Sequence, residues 1–303
     1  MLKKSQKSKI ILNISNFDHL HFYRLSKKFS NLPIVVQNHG EAPAQYHLKN
    51  SGIFKKPLIL IHKLFQRSSF PNVDLFYVLY DEIRKYMDSV PNEKIKVSTT
   101  GVDEEKFKYI GKSKARKILG ISANSIILTF IGRLNDVKGV KILIDIYNEL
   151  KIDIENLVLI LIGSEKNDKY YSNAEKSGAK ILGFVNQDDL YLYLNASDIY
   201  VLPKLERNYY FGGVGMLPVQ SLFCGTPIVG ETVKSIPNDL KNQVGIFADN
   251  HKEIKKSILD IINKKVVFKD LREKAKSVYS WEIISKTTRN EYDKLINNYY
   301  QTD

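Results

Sequence analysis

The chain has 303 residues, enough for one large domain or two of ordinary size. Hydrophobic residues make up 43% of it and charged residues 26%, with 16 glycines and 9 prolines. These values are typical of globular proteins and exclude a disordered, fibrous or low-complexity chain. Lys and Arg number 46 against 33 Asp and Glu, which gives a net charge of +13. This excess suits anionic partners, although solvated lysines of a biased composition would produce it too.

Cysteine content and apolar run lengths bear on the compartment. The single cysteine, Cys224, excludes an intramolecular disulfide framework and fits a reducing environment. The first nine residues are basic, but the apolar run after them is shorter than the ~7–15 residues of a signal sequence. No uncharged stretch approaches the ~20 apolar residues of a membrane span. We therefore expect a cytoplasmic protein, either free or peripheral on the inner face of a membrane.

The positive charge is concentrated in the first third. Residues 1–110 hold 18 Lys and Arg and 10 Asp and Glu, a balance of +8, whereas residues 111–303 hold 28 and 23, a balance of +5. Within the first 28 residues, seven basic side chains face only Asp18. This segment is either an arm that meets acidic lipid head groups or a solvated terminus.

Short apolar runs, which predict buried strands, alternate with amphipathic stretches, which predict helices. In the first part, strands are predicted at 10–14, 32–36, 75–79 and 95–97, and helices near 18–29, 57–67 and 81–88. In the second part, strands are predicted at 125–131, 157–162, 180–182, 199–202 and 227–229. Helices there are predicted at 138–151, 167–177, 188–196, 215–224 and 251–263. The alternation predicts parallel βαβ units in an α/β fold with doubly wound sheets, whose ligands lie at the carboxyl ends of the strands.

A polar stretch indicates where one domain ends and another begins. Residues 108–117 read as a linker that leads into a new strand, so the boundary falls near 103–124. We predict one α/β domain over 1–110 and a second over 111–280. The last segment, 281–303, carries one more amphipathic helix.

The first candidate site follows the predicted strand that ends at Ile131. Gly132 and Arg133 come directly after this strand, and Lys138 precedes the next helix. A guanidinium fork, an ammonium charge and helix amides suit phosphate oxygens. The alternative is an ordinary surface pair of Arg and Lys.

The second candidate is a glycine cluster at 211–217 before a predicted helix, with Gly213, Gly215, Met216 and Leu217. Glycines there let the backbone approach a ligand and direct N–H groups at it. The spacing is not the G-x-G-x-x-G of dinucleotide sites, and a simple left-handed turn would explain the cluster as well.

Five of the six histidines fall in the first 62 residues, namely His19, His21, His39, His47 and His62. No acidic or cysteine ligand keeps a regular spacing to them, so we predict no metal site. His39 follows an apolar strand and precedes Gly40, where an α/β sheet places site residues; a structural histidine is the alternative. No nucleic-acid motif frames the abundant aromatics, so no nucleic-acid partner is predicted.

Six motifs occur in a fixed order, at 97–107, 130–139, 159–163, 183–198, 213–229 and 279–282. They resemble the patterns V-P-N-G-V-D…F, v-G-R-l…K-G, l-x-l-v-G, G-x-v…l…y…a-D-v, G-F-G-L-v…E-A-m-A-x-G-T-P-V-v and f-S-W-e of retaining glycosyltransferases of family 4. The resemblance covers about 30–303. It implies the GT-B fold, in which two Rossmann-like domains face a cleft and the last helix crosses back to the first domain.

By matching position, the resemblance implies roles for several residues. Arg133 and Lys138 would hold the diphosphate of a nucleotide sugar, without a metal or other cofactor. Backbone at Phe184 and Val185 would contact the base, and His39 would lie near the donor sugar and the acceptor. Oxygens of the donor would meet the glycine-rich turns and the helix start, at Gly132, Gly213, Gly215, Met216 and Leu217.

The chain departs from the family pattern at its acidic positions and at its start. Two glutamates that the family places eight residues apart correspond to Gly212 and Gln220, and a third corresponds to Asn238. Gln220 still offers hydrogen bonds to a ribose, while Glu206 lies six residues too early. The opening strand and Gly-Gly loop have no counterpart, so we expect a first domain shortened by roughly 80–100 residues.

Two functions follow as hypotheses. The first is a transferase that moves a hexose or N-acetylhexosamine from a UDP- or GDP-sugar to a glycan or lipid-linked glycan. The second is a nucleotide-sugar-binding module or half-enzyme that needs a partner subunit for its missing acceptor half.

Overall fold

The structure is a computed structural model that describes residues 9–17, 32–203 and 215–300. The chain divides into two compact units. The first unit comprises the described residues up to Thr100 together with those from Glu282 onward. The second unit lies between Gly101 and Trp281.

The first unit is built on a four-stranded parallel sheet. Its strands lie side by side in chain order and are β1 (Leu12–Ser15), β2 (Ile34–Gln37), β3 (Leu75–Val78) and β4 (Ile95–Val97). Between β2 and β3 the chain forms the helices α1 (Ala44–Asn50) and α2 (Lys56–Ser69). Every residue of β3 is buried, as expected for an interior strand covered on both faces. The core on one face includes the rings of Phe17, Phe70 and Phe76, whose centroids lie 5.2–6.2 Å apart.

The second unit is built on a six-stranded parallel sheet in the order β10-β9-β8-β5-β6-β7. The strands are β5 (Ile126–Ile131), β6 (Leu157–Ile162), β7 (Lys180–Leu182), β8 (Ile199–Leu202), β9 (Ile228–Gly230) and β10 (Gly245–Phe247). The helices are α3 (Lys112–Leu119), α4 (Val140–Leu150), α5 (Tyr171–Lys176), α6 (Leu190–Ala196), α7 (Leu217–Phe223), α8 (Asn238–Val244), α9 (His251–Ile262) and α10 (Leu271–Tyr279).

Side-chain alternation gives this sheet two cores. Ile127, Ile160 and Tyr200 belong to the hydrophobic cluster on one face. Their chain neighbours Leu128 and Leu159 belong to the cluster on the other face. Because successive strand residues point to opposite sides, apolar residues at every position require helices on both faces. The predicted α/β class with parallel sheets is confirmed.

The helix α11 (Trp281–Tyr300) packs on the sheet of the first unit. The hydroxyl of Tyr292 lies 3.1 Å from Nδ2 of Asn13 and 3.3 Å from Nε2 of Gln37, and both amides donate to it. The Tyr300 hydroxyl donates to the carbonyl of Ile10 over 2.9 Å. The start and the end of the described chain thus meet in one unit.

Most predicted strands lie within two residues of the observed ones, but some elements differ. The polar stretch 108–117, which the sequence placed at the domain boundary, contains most of α3. The helix predicted at 81–88 is a 3-10 helix, Asp81–Tyr86. The helix predicted at 18–29 lies outside the described residues. Besides α3, the helices α1, α8 and α10 and the strand β10 were not predicted from the sequence.

Helix α3 shows no clear amphipathic pattern in the sequence because one of its buried residues is charged. Arg116 is buried, and its guanidinium donates to the carbonyls of Ala196 and Ala123 and to Asp198. Asp198 also accepts from the backbone N–H of Ile127 over 2.7 Å. Each of the three guanidinium nitrogens therefore has an acceptor, which removes most of the desolvation cost of burying the cation.

At the start of the second unit, the backbone of Gly101 lies against the ring of Trp281. A Cβ at Gly101 would lie 2.4 Å from Cδ2 of Trp281, and the backbone N–H of Val102 fixes this spacing by donating to Tyr279. We expect Gly101→Ala to destabilise the protein by about 1–3 kcal/mol through overpacking. Thermal or urea unfolding measures the effect. Gly52→Ala is the control, since a Cβ there meets no atom within 4 Å; equal stability of both variants would contradict the assignment.

Candidate functional site

The strand order of the second unit creates a switch point that the sequence alone did not reveal. From β5 the chain runs outward through β6 and β7, and then returns to β8 on the opposite side of β5. The connections that leave β5 and β8 therefore diverge to opposite sides. In doubly wound sheets a ligand binds in the crevice at the carboxyl ends of such a strand pair. The loop after β5 carries Gly132, Arg133 and Lys138 to this place.

The loop begins with a backbone conformation that favours glycine. Gly132 has φ of +151°, and its N–H donates to the carbonyl of Ile162 at the end of β6 over 2.8 Å. A side chain at this φ would be strained. Glycine thus lets the chain turn sharply off β5 while staying bonded to the neighbouring strand, and places Arg133 at the sheet edge.

Arg133 is held in place by two carboxylates from the loop after β6. Its Nε lies 2.6 Å from Oδ1 of Asp168, and its Nη1 lies 2.8 Å from Oε1 of Glu165. The side chains of Arg133 and Glu165 are 45% and 60% exposed, whereas that of Asp168 is 3% exposed. The guanidinium is therefore anchored on its inner side by a buried anion, and its outer contact is open to solvent.

Asp168 organises both loops. Its Oδ2 accepts from the backbone N–H of Leu134 (3.0 Å) and of Glu165 (2.9 Å), while its Oδ1 accepts from Arg133. Burial by itself raises the pKa of Asp168, but these hydrogen bonds and the Arg133 charge outweigh it and hold the pKa below its ordinary value. Asp168 is thus a fixed negative charge around which the Arg133 loop is built.

Lys138 ends a one-turn 3-10 helix, Asp136–Lys138. Asn135 caps this turn, since its Oδ1 accepts from the backbone N–H of Lys138 over 3.1 Å. Asp136 accepts from Nζ of Lys169, 2.6 Å away, and from the hydroxyl of Tyr170. The hydrogen bond from Lys169 contributes most to lowering the pKa of Asp136, followed by the one from Tyr170. The backbone position of Lys138 is consequently fixed by contacts on both sides of the turn.

The residues predicted to contact the base follow β7, two strands away from β5. Phe184 is 92% exposed, and Val185 is half-buried against the core of the unit. Both lie on the same carboxyl edge of the sheet as Arg133. Gly163, directly after β6, joins the ends of β6 and β7 because its N–H donates to the carbonyls of Leu182 and Gly183.

The glycine-rich candidate lies only partly within the described chain. Gly215 is exposed with φ of +74°, Met216 precedes α7, Leu217 begins it, and Gln220 lies half-buried in its second turn. Gly213 falls outside the described residues, as do Gly212 and Glu206. The described part of this turn comes after β8 in the chain, whereas Arg133 comes after β5, the other strand of the switch point.

His39 lies in the first unit, two residues beyond β2 and thus at the carboxyl edge of that sheet. Its imidazole is exposed, and its backbone N–H donates to Oδ1 of Asn16 over 3.0 Å. Asn16 itself follows β1 in the left-handed region, with φ of +66°. Two strand ends are joined at this point, which presents the imidazole to solvent.

Asp168 is the site residue that the sequence did not reveal. It lies 35 positions from Arg133. The feature of the sequence that could have indicated it is the acidic pair Glu165 and Asp168 in the loop after β6. Among the described residues, no group of three or more His, Cys, Asp or Glu is arranged to hold a metal ion. Asn238, at the start of α8, accepts a hydrogen bond from Nζ of Lys241 over 2.8 Å.

Comparison with known proteins identifies the family. Residues 111–278, more than half of the chain, match the model of glycosyl transferases group 1. The chain belongs to this family. This group 1 glycosyltransferase has its switch-point loop and its Asp168 anchor within the matched region.

Two relatives are themselves named as glycosyltransferases, and a solved structure shares the fold. An uncharacterised glycosyltransferase of Methanocaldococcus jannaschii is 26% identical over 293 residues, which span 92% of this chain and 72% of the relative. The lipopolysaccharide 1,2-N-acetylglucosaminetransferase of Salmonella typhimurium is 21% identical over 86% of this chain and 73% of its own. The fold matches the Anabaena protein HepE, solved with UDP, at a TM-score of 0.70 and 17% identity, over 93% of this chain and 79% of HepE.

Proposed function

We propose that the protein is a retaining glycosyltransferase of family 4. It moves a hexose or N-acetylhexosamine from a UDP- or GDP-sugar onto a glycan or lipid-linked glycan, as in polysaccharide biosynthesis. The observation that carries the proposal is the loop after β5, which places Arg133, anchored by buried Asp168, at the switch point of the second sheet. HepE, which shares the fold, binds UDP, and the Salmonella relative transfers N-acetylglucosamine to lipopolysaccharide.

In this proposal the protein's task is to stabilise a leaving diphosphate. The bond between the anomeric carbon and the phosphate oxygen breaks, and the acceptor hydroxyl attacks the same face of the sugar. The proton of that hydroxyl passes to the departing phosphate oxygen. Arg133 and Lys138 counter the growing negative charge, so the reaction needs no metal or other cofactor. Such preorganised charges act most strongly on the transition state, where the charge is largest.

The remaining site residues take positioning roles. Amides at Gly213, Gly215 and Met216 meet phosphate or sugar oxygens, beside Gly132 and Leu217. Backbone at Phe184 and Val185 contacts the base, Gln220 binds the ribose, and His39 lies near the reacting sugar. The described helices include none that is both long and apolar enough to cross a bilayer. We place the protein in the cytoplasm, peripheral on the inner face of the membrane.

A second function has specific support. Gly212 and Gln220 replace the two glutamates of the family pattern. The loss of these two carboxylates favours a nucleotide-sugar-binding half-enzyme that needs a partner subunit to supply acceptor contacts. Donor binding is common to the two functions, whereas turnover by the isolated chain distinguishes them.

A thermal-shift screen with UDP, GDP and their sugars tests both functions. We expect one of the two bases to raise the melting temperature, because a ligand at 100 times its Kd stabilises the native state by about 2.7 kcal/mol. ADP serves as the matched control for the diphosphate alone. The stabilising donor is then assayed for hydrolysis and transfer. Turnover supports the transferase, binding without turnover supports the half-enzyme, and no shift with any nucleotide contradicts both.

A further inference from the structure

Helix α2 and the turn before it carry an unusual number of exposed apolar side chains. Phe54 is 98% exposed, Leu58 74% and Leu64 58%. The full set, each at least 47% exposed, is Ile53, Phe54, Leu58, Leu60, Ile61, Leu64 and Phe65. Single exposed apolar residues are ordinary, but seven within 13 positions concentrate apolar surface on one short stretch, and exposed apolar patches mark interaction sites. We call this set the apolar face of α2.

The helix is turned opposite to the usual arrangement. The two residues of α2 that are buried are polar: Gln66 and Ser69. Gln66 accepts from the backbone N–H of Ala44 through Oε1 over 2.8 Å, and Ser69 donates to the carbonyl of Phe65. None of the apolar side chains of α2 joins the hydrophobic clusters of the first unit's described residues. A surface helix normally buries its apolar stripe. Here that stripe faces outward while polar contacts tie the helix to its unit.

The stretch of chain that carries the apolar face has charges of one sign only. Between residues 42 and 73 the sequence holds five Lys and Arg and no Asp or Glu. These are Lys49, Lys55, Lys56, Lys63 and Arg67. Lys55, Lys56 and Arg67 are exposed on α2 or the turn that leads into it. An outward apolar stripe flanked by basic side chains is the pattern of a helix that lies in the plane of an anionic lipid surface.

We infer that the apolar face of α2 docks the protein on a membrane that contains anionic lipid. The 14 residues of α2 extend about 21 Å, and lie flat with their apolar side chains about 5–10 Å into the boundary between head groups and acyl chains. The lysines and Arg67 meet lipid phosphates. Two copies of the chain joined through this face would instead oppose like charges, which disfavours self-association. The proposed membrane contact is α2. The basic first 28 residues, also considered from the sequence, lie mostly outside the described residues.

Vesicle sedimentation of the full chain tests the inference without any nucleotide, so its result is independent of the proposed transferase activity. We expect binding to phosphatidylcholine vesicles that contain about one third phosphatidylglycerol, and weak binding without it. Leu60→Gln with Leu64→Gln should weaken binding about tenfold or more, because two buried side chains are lost from the lipid. Ile118→Gln with Ile152→Gln is the matched control, since both isoleucines are exposed on the second unit.

The outcomes separate membrane docking from other roles of the patch. All positions changed are exposed, so thermal unfolding should match that of the wild type in both double variants. Loss of vesicle binding in the α2 variant alone supports the inference. It is overturned if the wild type ignores anionic vesicles, or if the α2 variant binds as well as the control. Sedimentation velocity measures whether the chain forms a dimer instead. The inference is also contradicted if the wild type is a dimer, the α2 double variant is a monomer, and neither protein binds vesicles.

Discussion

Lys138→Ala is expected to lower kcat/KM for sugar transfer by about 10²–10³-fold while the protein stays folded. Removing one preorganised charge or donor that meets a developing anion costs this much in other enzymes. The fold should survive because the turn that carries Lys138 is held by the Asn135 cap and by the contacts of Asp136. The loss should exceed the rise in Kd for the nucleotide, since the charge on the leaving diphosphate peaks in the transition state.

Steady-state transfer rates and calorimetric binding of the nucleotide measure the two effects separately. Lys141→Ala is the matched control, because Lys141 lies on the adjoining helix in an exposed pair with Asp145. That variant should keep near-wild-type activity, as exposed pairs contribute little. Full activity of Lys138→Ala would remove Lys138 from the mechanism and weaken the assignment of this loop as the diphosphate site.

Asp168→Asn should damage both stability and activity. If the amide oxygen keeps the bonds from Leu134 and Glu165, the amide nitrogen must face Nε of Arg133, which places donor against donor. We expect a loss of about 1–3 kcal/mol in the free energy of unfolding, the usual cost of an unsatisfied buried group. Transfer should fall as well, because the Arg133 guanidinium loses its inner anchor. Glu165→Gln is the control, since the Glu165 side chain is largely exposed and its loss should change stability little.

The same pair of proteins gives a pH test. The pKa of Asp168 is lower in the folded than in the unfolded state. Its ionised form therefore stabilises the fold fully above the unfolded pKa of about 3.9, and this contribution disappears as pH falls through the lowered folded pKa. Urea unfolding should show the largest gap between wild type and Asp168→Asn at neutral pH, and a smaller gap in acid. A gap that widens in acid would contradict the assigned ionisation.

Periodicity was sufficient for most elements and insufficient for their arrangement. Apolar runs predicted β6 and β8 at their observed bounds, the shorter run that ends β7 did the same for that strand, and the amphipathic pattern predicted α11. Helix α3 was missed because its buried side includes Arg116, and two of its partners, Ala196 and Asp198, lie about 80 residues away. Strand β10 is only three residues long and starts with Gly245, so it has no apolar run to detect.

The site was predicted only in part, because its arrangement also depends on contacts between residues far apart in the sequence. The motifs drew attention to Arg133 and Lys138, but the strand order that makes their loop a switch point depends on long-range pairing. The partnership of Arg133 with Asp168 also depends on neighbouring strands rather than neighbouring residues. The helix near 57–67 was predicted, yet a pattern cannot say which face turns inward; the burial of Gln66 shows that its polar side does.

The position of α11 has a consequence for the order of folding during synthesis. The second unit lies between Gly101 and Trp281, so all its described parts are synthesised by the time α11 begins. The first unit starts the chain but lacks the Tyr292 contacts to Asn13 and Gln37, which bridge about 280 and 255 positions, until the last helix emerges. Domains usually fold as they are synthesised, from the N-terminus onward. Here the earliest-made sheet is completed last, and until then one side of it lacks its cover.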